Sequence, residues 1–154
     1  MTETQHPSGT RLAPSDYRLL SEFRYLLRCF LEFSETAAVK AGLTTRQHQA
    51  LLAIKGAPED TTPTVGYLAR RLRIQHNSAV ELTNRLEEAG LIQRTHDPDD
   101  RRRVRLDLTN LAEKQLEHLS ESHLAELARM KPALLDILRQ AESAAPHKDT
   151  SETE

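Results

Sequence analysis

Between Val65 and Arg105 the chain places nine arginines, at positions 70, 71, 73, 85, 94, 101, 102, 103 and 105, and not one lysine. A guanidinium is planar, offers five donors in a fixed fork and pairs in bidentate fashion with phosphate or a base edge, so this usage suits nucleic-acid chemistry. Six acids share the stretch (Glu81, Glu87, Glu88, Asp97, Asp99 and Asp100), leaving a local charge of +3, whereas the remainder of the chain carries twelve basic and seventeen acidic residues, a charge of -5. Charge segregated in this way fits a domain that sets one face on phosphates and keeps its other surfaces off them. Asn77 and Glu81 add base-reading chemistry, because an Asn amide can pair with adenine and a Glu carboxylate can accept from a cytosine amine. Each piece has a plainer reading: Arg70, Arg71 and Arg73 as a solvated helix face, Arg101 to Arg103 as an ordinary hairpin tip, and His76, Asn77 and Ser78 as capping residues. Jointly, and in this order, the plainer readings lose to the nucleic-acid one.

The elements that must hold these residues are legible from periodicity. Ser15 and Asp16 after Pro14 signal a helix start, and Leu19, Leu20, Phe23, Leu26, Leu27, Phe30 and Leu31 recur at three- and four-residue steps, predicting an amphipathic helix to about Lys40. Gly42 breaks it, and Leu43, Thr44 and Thr45 cap a second helix through Ala50, Leu51 and Ile54. After a loop at Lys55 to Thr62, Pro63 opens a short helix with Val65, Leu68, Ala69 and Leu72 inward, and a turn at Arg73 to His76 ends it. The segment HNSAVELTNRLEEAG makes a further helix, stopped at Gly90. Leu91 to Thr95, a turn cluster at Asp97 to Asp100, and the alternation of Val104, Leu106 and Leu108 with Arg103, Arg105 and Asp107 predict a β-hairpin. A helix from Thr109 follows, with a capping box expected from Asn110 and Glu113, and a last helix is expected after Lys131-Pro132.

Two short helices and a turn followed at once by an Arg-tipped hairpin is the layout of a winged helix-turn-helix. The expected class is mostly α with a small β-hairpin wing: a winged DNA-binding lobe at 43–108, a helical dimerisation region at 15–40 and 110–140, and disordered tails at 1–13 and 141–154. The 154 residues, 38% hydrophobic and with a formal charge of -2, fit one core and exclude a globally basic, histone-like binder. One cysteine, no apolar signal core and no apolar run beyond Ala50 to Ile54 predict a cytoplasmic protein without a membrane segment or intrachain disulfide. The common phosphate-loop, dinucleotide, zinc-protease and hydrolase motifs are missing, so no enzymatic activity and no cofactor are expected.

The stretches Gly42-Leu43-Thr44-x-x-Gln47, Thr64-Val65-Gly66-x-Leu68-Ala69-x-x-Leu72, Arg85-Leu86-Glu87-Glu88-Ala89-Gly90-Leu91-Ile92, Asp97-Pro98-Asp99-Asp100-Arg101-Arg102 and Leu108-Thr109 resemble the MarR family of bacterial transcriptional regulators. The resemblance covers roughly residues 15 to 140. It implies a homodimer whose first and last helices interleave, holding two winged lobes over a palindromic double-stranded DNA operator; the broad apolar stripe of helix 15–40 and the Leu-rich last helices agree with this independently. By their position on the second short helix, His76, Asn77, Ser78 and then Glu81 are expected in the major groove, with Arg85 nearer the backbone. In proteins resembling this one the wing enters the minor groove, which implies that Arg102 reaches in while Asp100 orients it; Arg101, Arg103 and Arg105 are expected on phosphates.

The resemblance further implies a repressor released by a small aromatic or phenolic effector, with Tyr17, Phe23, Tyr25 and Phe30, followed by Phe33, bordering the cleft. Two alternatives accompany this reading. Cys29 could make the same fold a redox-sensing regulator, although it falls later on the first helix than the family's sensing cysteine; or the helices could form a protein-interaction module without DNA binding. His48, Glu117, His118 and His123 could in principle converge on a metal, but residues 118 and 123 lie about 140° apart around a helix, so surface histidines and no metal are expected.

Overall fold

The computed structural model describes residues 12–144. Its elements are α1 (Pro14–Lys40), α2 (Thr45–Lys55), α3 (Val65–Leu72), α4 (His76–Glu88), β1 (Ile92–His96), β2 (Val104–Leu108) and α5 (Asn110–Ala144). This mostly helical chain with one antiparallel hairpin has the expected architecture. It divides into two compact units, Leu31–Glu126 and a second made from the residues up to Phe30 together with those from Leu127 onward.

In the unit Leu31–Glu126, α1, α3 and α4 end by one device. A residue follows each in the left-handed region, Gly42 (φ 78), Arg73 (φ 54) and Gly90 (φ 68). The next N–H then donates five residues back: Leu43 to the Ala38 carbonyl at 2.9 Å, Ile74 to Ala69 at 3.0 Å, and Leu91 to Leu86 at 2.9 Å. This closure satisfies otherwise orphaned carbonyls and drops the following apolar side chain onto the core. α2 starts on a capping box, with Thr44 Oγ1 accepting from the Gln47 N–H at 3.1 Å and the Gln47 side chain accepting from the Thr44 N–H at 2.9 Å.

Leu51, Leu68, Leu86 and Leu106, one each from α2, α3, α4 and β2, are fully buried in a single cluster that Ala112, Leu116 and Leu119 of α5 complete. The strands pair Ile92 with Leu108, Arg94 with Leu106 and His96 with Val104 on one face of the hairpin, and Gln93 with Asp107 and Thr95 with Arg105 on the other. The Leu106 N–H also donates to the Pro63 carbonyl at 2.8 Å, tying the hairpin to the segment that leads into α3.

Several expectations need correction. The cap of α5 is Thr109, not an Asn110–Glu113 box: Thr109 Oγ1 accepts from the Ala112 N–H at 3.3 Å and donates to the Gly90 carbonyl at 2.7 Å, while Glu113 turns to Lys55 Nζ at 2.6 Å. Asn110 is already helical, so its side chain is one position too late to cap. α5 also runs through Pro132, where a break was expected. Pro132 deprives only the Ala128 carbonyl of its donor, and both residues are exposed to water, while Met130 and Ile137 are buried on either side of the proline. Of the expected tails, 1–11 and 145–154 lie outside the described residues, and 141–144 form the last turn of α5. No helix among the described residues is long and apolar enough to cross a membrane.

His48 is not a surface residue. It is 3% exposed and tilts against His123 with ring centroids 4.8 Å apart, because α2 turns it onto the same core that α5 covers. His123 Nδ1 lies 2.6 Å from the Leu119 carbonyl, which can only accept, so that nitrogen donates, and Nε2 shares a hydrogen bond with Ser34 Oγ at 2.9 Å. Among the described residues no three His, Cys, Asp or Glu side chains converge as metal ligands. Burial first, and His123 second, lower the His48 pKa from its ordinary 6.5. The unfolded chain therefore binds a proton here at a pH where the folded chain does not, and stability present above 6.5 is lost as pH falls from there toward the lowered folded value. We predict that His48→Leu, which cannot titrate, flattens the fall in Tm that wild type shows between about pH 7.5 and about pH 5; equal slopes in calorimetry would contradict this.

Candidate nucleic-acid interface

The sequence TPTVGYLARRLRIQHNSAV builds two helices meeting at a tight turn. Thr64 Oγ1 caps α3 by accepting from the Tyr67 N–H at 3.1 Å, and Arg73 ends it in the left-handed region. α4 begins after Gln75, whose side chain makes no capping bond. The first-turn N–H groups of α4 thus keep their positive end of the helix dipole uncompensated by any side-chain cap. His76, Asn77 and Ser78 lie inside the helix after the Gln75 N-cap, so they are not its N-cap; all three are exposed, and Glu81, Asn84, Arg85 and Glu88 continue the exposed face. Ala79, Leu82, Thr83 and Leu86 form the buried face, where the Thr83 hydroxyl is satisfied by the Ala79 carbonyl at 2.6 Å. The four residues expected in the major groove, and Arg85 expected nearer the backbone, are therefore all exposed on one helix.

The wing loop owes its shape to aspartates. Asp97 Oδ1 accepts from the Asp99 N–H at 2.9 Å and Oδ2 accepts from the Thr62 hydroxyl at 3.2 Å, while the Asp97 N–H donates to the Arg103 carbonyl at 3.0 Å. Asp100 Oδ1 accepts from both the backbone N–H of Arg102, at 3.0 Å, and its Nε, at 3.3 Å. The Arg102 side chain is nevertheless 92% exposed, so the guanidinium projects from the tip with one edge steered by Asp100. Arg101 and Arg103 are exposed beside it. Arg105 Nε donates to Asp107 at 2.7 Å, and Asp107 also accepts from the Thr95 hydroxyl at 2.6 Å, which fixes the outer face of the hairpin.

One contact that the sequence reading passed over belongs here. Arg94 of β1 donates to both Glu87 and Asn84 of α4. The available signal was parity, since Arg94 lies two residues after buried Ile92 on the strand and so shares its inward face.

The effector candidates are less assembled. Tyr17 and Tyr25 are exposed and Phe23 and Phe30 half-buried on the first part of α1. A cavity of about 300 Å³ lies elsewhere, in the unit Leu31–Glu126, between Phe33, Thr36, Ala37 and Lys40 of α1 and His118, Leu119 and Ser122 of α5. Of the aromatic set only Phe33 reaches it. A larger cavity of about 670 Å³ beside the wing is walled by Glu59, Asp60, Asp97, Asp99, Asp100, Asp107 and Glu113 together with Lys55, Arg103 and Arg105, a mixed lining in which carboxylates outnumber cations. Cys29 is half-buried on α1.

An exposed helix beside an arginine-tipped hairpin, both seated on one core, makes a winged helix-turn-helix lobe. Over residues 41–103 the chain matches the MarR family. It is 28% identical over 117 residues to the HTH-type transcriptional repressor MdtR of Bacillus subtilis, covering 75% of this chain and 74% of that protein. Its fold is similar to CouR from Rhodococcus jostii bound to p-coumaroyl-CoA (TM-score 0.62, 22% identity, 87% of this chain and 98% of that one). It is similar also to a point mutant of MepR from Staphylococcus aureus bound to an oligodeoxyribonucleotide (TM-score 0.58, 22% identity, 85% of this chain and 99% of that one).

Asp97 carries a further expectation. The Asp99 N–H bond, with Thr62, the Asp100 backbone and Arg103 adding to it, outweighs partial burial and holds its carboxyl below the usual range. A lowered carboxyl stabilises the loop above the ordinary carboxylate value, and that contribution is lost as pH falls through the lowered one. Asp97→Ala should speed hydrogen exchange at the Asp99 amide while leaving amides in α2 unchanged; equal protection in both proteins would show that the loop does not depend on this carboxylate.

Proposed function

We propose that the protein is a homodimeric repressor that reads a palindromic operator in double-stranded DNA and is released by a small aromatic or phenolic ligand, acting in the cytoplasm without a cofactor. The observation that carries the reading is the single core that presents an exposed α4 first turn and the Arg102 wing tip together. His76, Asn77, Ser78 and Glu81 would meet base edges and Arg85 the nearby backbone; Arg102, steered by Asp100, would enter the minor groove, and Arg101, Arg103 and Arg105 would sit on phosphates. Likeness to MdtR supports repression, the MepR complex supports DNA binding, and the CouR complex supports a ligand with a phenolic part.

Dimerisation is supported by apolar surface. Tyr17, Leu20, Tyr25 and Leu27 of α1 and Leu127, Leu135 and Leu138 of α5 are exposed, all within the smaller unit. Two helical segments leave such side chains wet at a cost of about 25 cal/mol per Å², which a second copy of the chain would remove. Light scattering at micromolar concentration should give twice the 17.4 kDa chain mass; a mass of one chain would refute the dimer.

Reading and positioning contacts separate by mutation. Asn77→Ala should cost about 1 to 3 kcal/mol on the operator and much less on scrambled DNA, because a base-edge contact carries sequence information. Arg102→Ala should weaken both duplexes and reduce the salt slope by about one counterion. Fluorescence anisotropy across a salt series measures both effects, and variants that bind both duplexes like wild type would return the interface to ordinary solvated surface.

A further inference from the structure

On the inward face of the hairpin, Ile92, Leu106 and Leu108 are apolar, yet Arg94, directly across from Leu106, lies in the same row. Its guanidinium is anchored at both ends on the recognition helix: Nη1 donates to Glu87 Oε2 and Nη2 to Asn84 Oδ1, the latter at 2.7 Å. Asn84 and Glu87 are three residues apart, hence neighbours on one side of α4. A guanidinium has no acceptor, so the Asn84 amide must turn its oxygen to Arg94, and both bonds are fixed in sense. The Arg94 and Glu87 side chains remain 30% and 43% exposed, a setting in which an ion pair adds little to stability. A planar two-point fork instead fixes an angle.

We propose that Arg94 is a positioning residue for sequence discrimination: it locks α4 to β1, so that the base-reading first turn of α4 and the wing tip beyond β1 are presented in one register, without itself touching DNA. The proposal rests on the DNA-binding reading above. Its physical basis is a difference in tolerance. Hydrogen bonds to base edges weaken steeply with misalignment, whereas attraction to phosphate falls slowly with distance. Loosening the fork should therefore damage operator recognition and spare sequence-independent binding.

The test uses the full-length wild-type chain, Arg94→Ala and Arg94→Lys, titrated against a duplex enriched by wild type from a random pool and against its scrambled counterpart, over a salt series. Lysine keeps the charge but offers a single nitrogen that cannot span both partners. Both variants should lose about tenfold in operator affinity, the scale of one misread base pair. Scrambled-duplex affinity and the salt slope should stay at the wild-type value. The proposal is overturned if Arg94→Lys discriminates like wild type, if the slope drops by about one counterion as for a phosphate contact, or if both duplexes weaken equally as for general unfolding. Should Arg94→Ala fail to fold, Arg94→Lys decides the question alone. If wild type enriches no duplex, the DNA-binding reading itself fails and this proposal with it; wild-type enrichment with any of the three outcomes above overturns this proposal only.

Discussion

The burial of Leu51, Leu68, Leu86 and Leu106 in one cluster is the constraint on which the DNA-facing surface depends. Four elements each contribute one fully enclosed leucine, so none of the four can shift without opening space around the others. The positions of α4 and the hairpin are consequences of this packing. Whatever α4 and the wing present outward follows from what they bury. The exposed row His76, Asn77, Ser78 and Glu81 is the reverse side of Ala79, Leu82, Thr83 and Leu86, and the alternation that buries Leu106 sends Arg105 outward. In an 8-residue helix such as α3, the core contacts and the Thr64 cap together outweigh weak intrinsic helicity.

Much of this was legible because it is encoded locally. Apolar spacing, Thr44 with Gln47, Gly42, Gly90 and the Asp-rich turn each specify structure within a few residues, and the order of elements then implies the winged lobe. The misjudged features depend on residues far apart in the chain. Thr109 displaces Asn110 as cap because its hydroxyl also finds the Gly90 carbonyl, 19 residues away. Pro132 sits within α5 because its surroundings leave the affected carbonyl in water. His48 and His123, 75 positions apart in the sequence, meet only once α2 and α5 share a core. The residues proposed to read DNA rest on chemistry and layout, whereas Arg94 counts in the sequence only as charge, since its partners lie on another element.

Electrostatic organisation in the lobe is finer than its net charge suggests. The wing carries Arg101, Arg102 and Arg103 at its tip, and the cavity beside it sets carboxylates from the Ala57–Pro63 loop, the wing and α5 against Lys55, Arg103 and Arg105. Asp97 and Asp100 shape the loop through backbone N–H groups and so spend part of their charge locally. Arg105 and Asp107 likewise cancel on the outer strand face. The Arg102 side chain still projects almost fully exposed at the tip, the geometry that favours insertion of a guanidinium into a narrow, electronegative groove.

Arg73 does with a side chain what Gly42 and Gly90 do without one. A non-glycine residue held left-handed costs roughly 1 to 2 kcal/mol in the native chain. Part of that is offset before folding begins, because an arginine samples far fewer backbone states than a glycine in the denatured ensemble and so loses less entropy on being fixed. The hinge between the two helices is thereby stiff in both states, and a fixed positive charge stands three residues ahead of the α4 N-terminus.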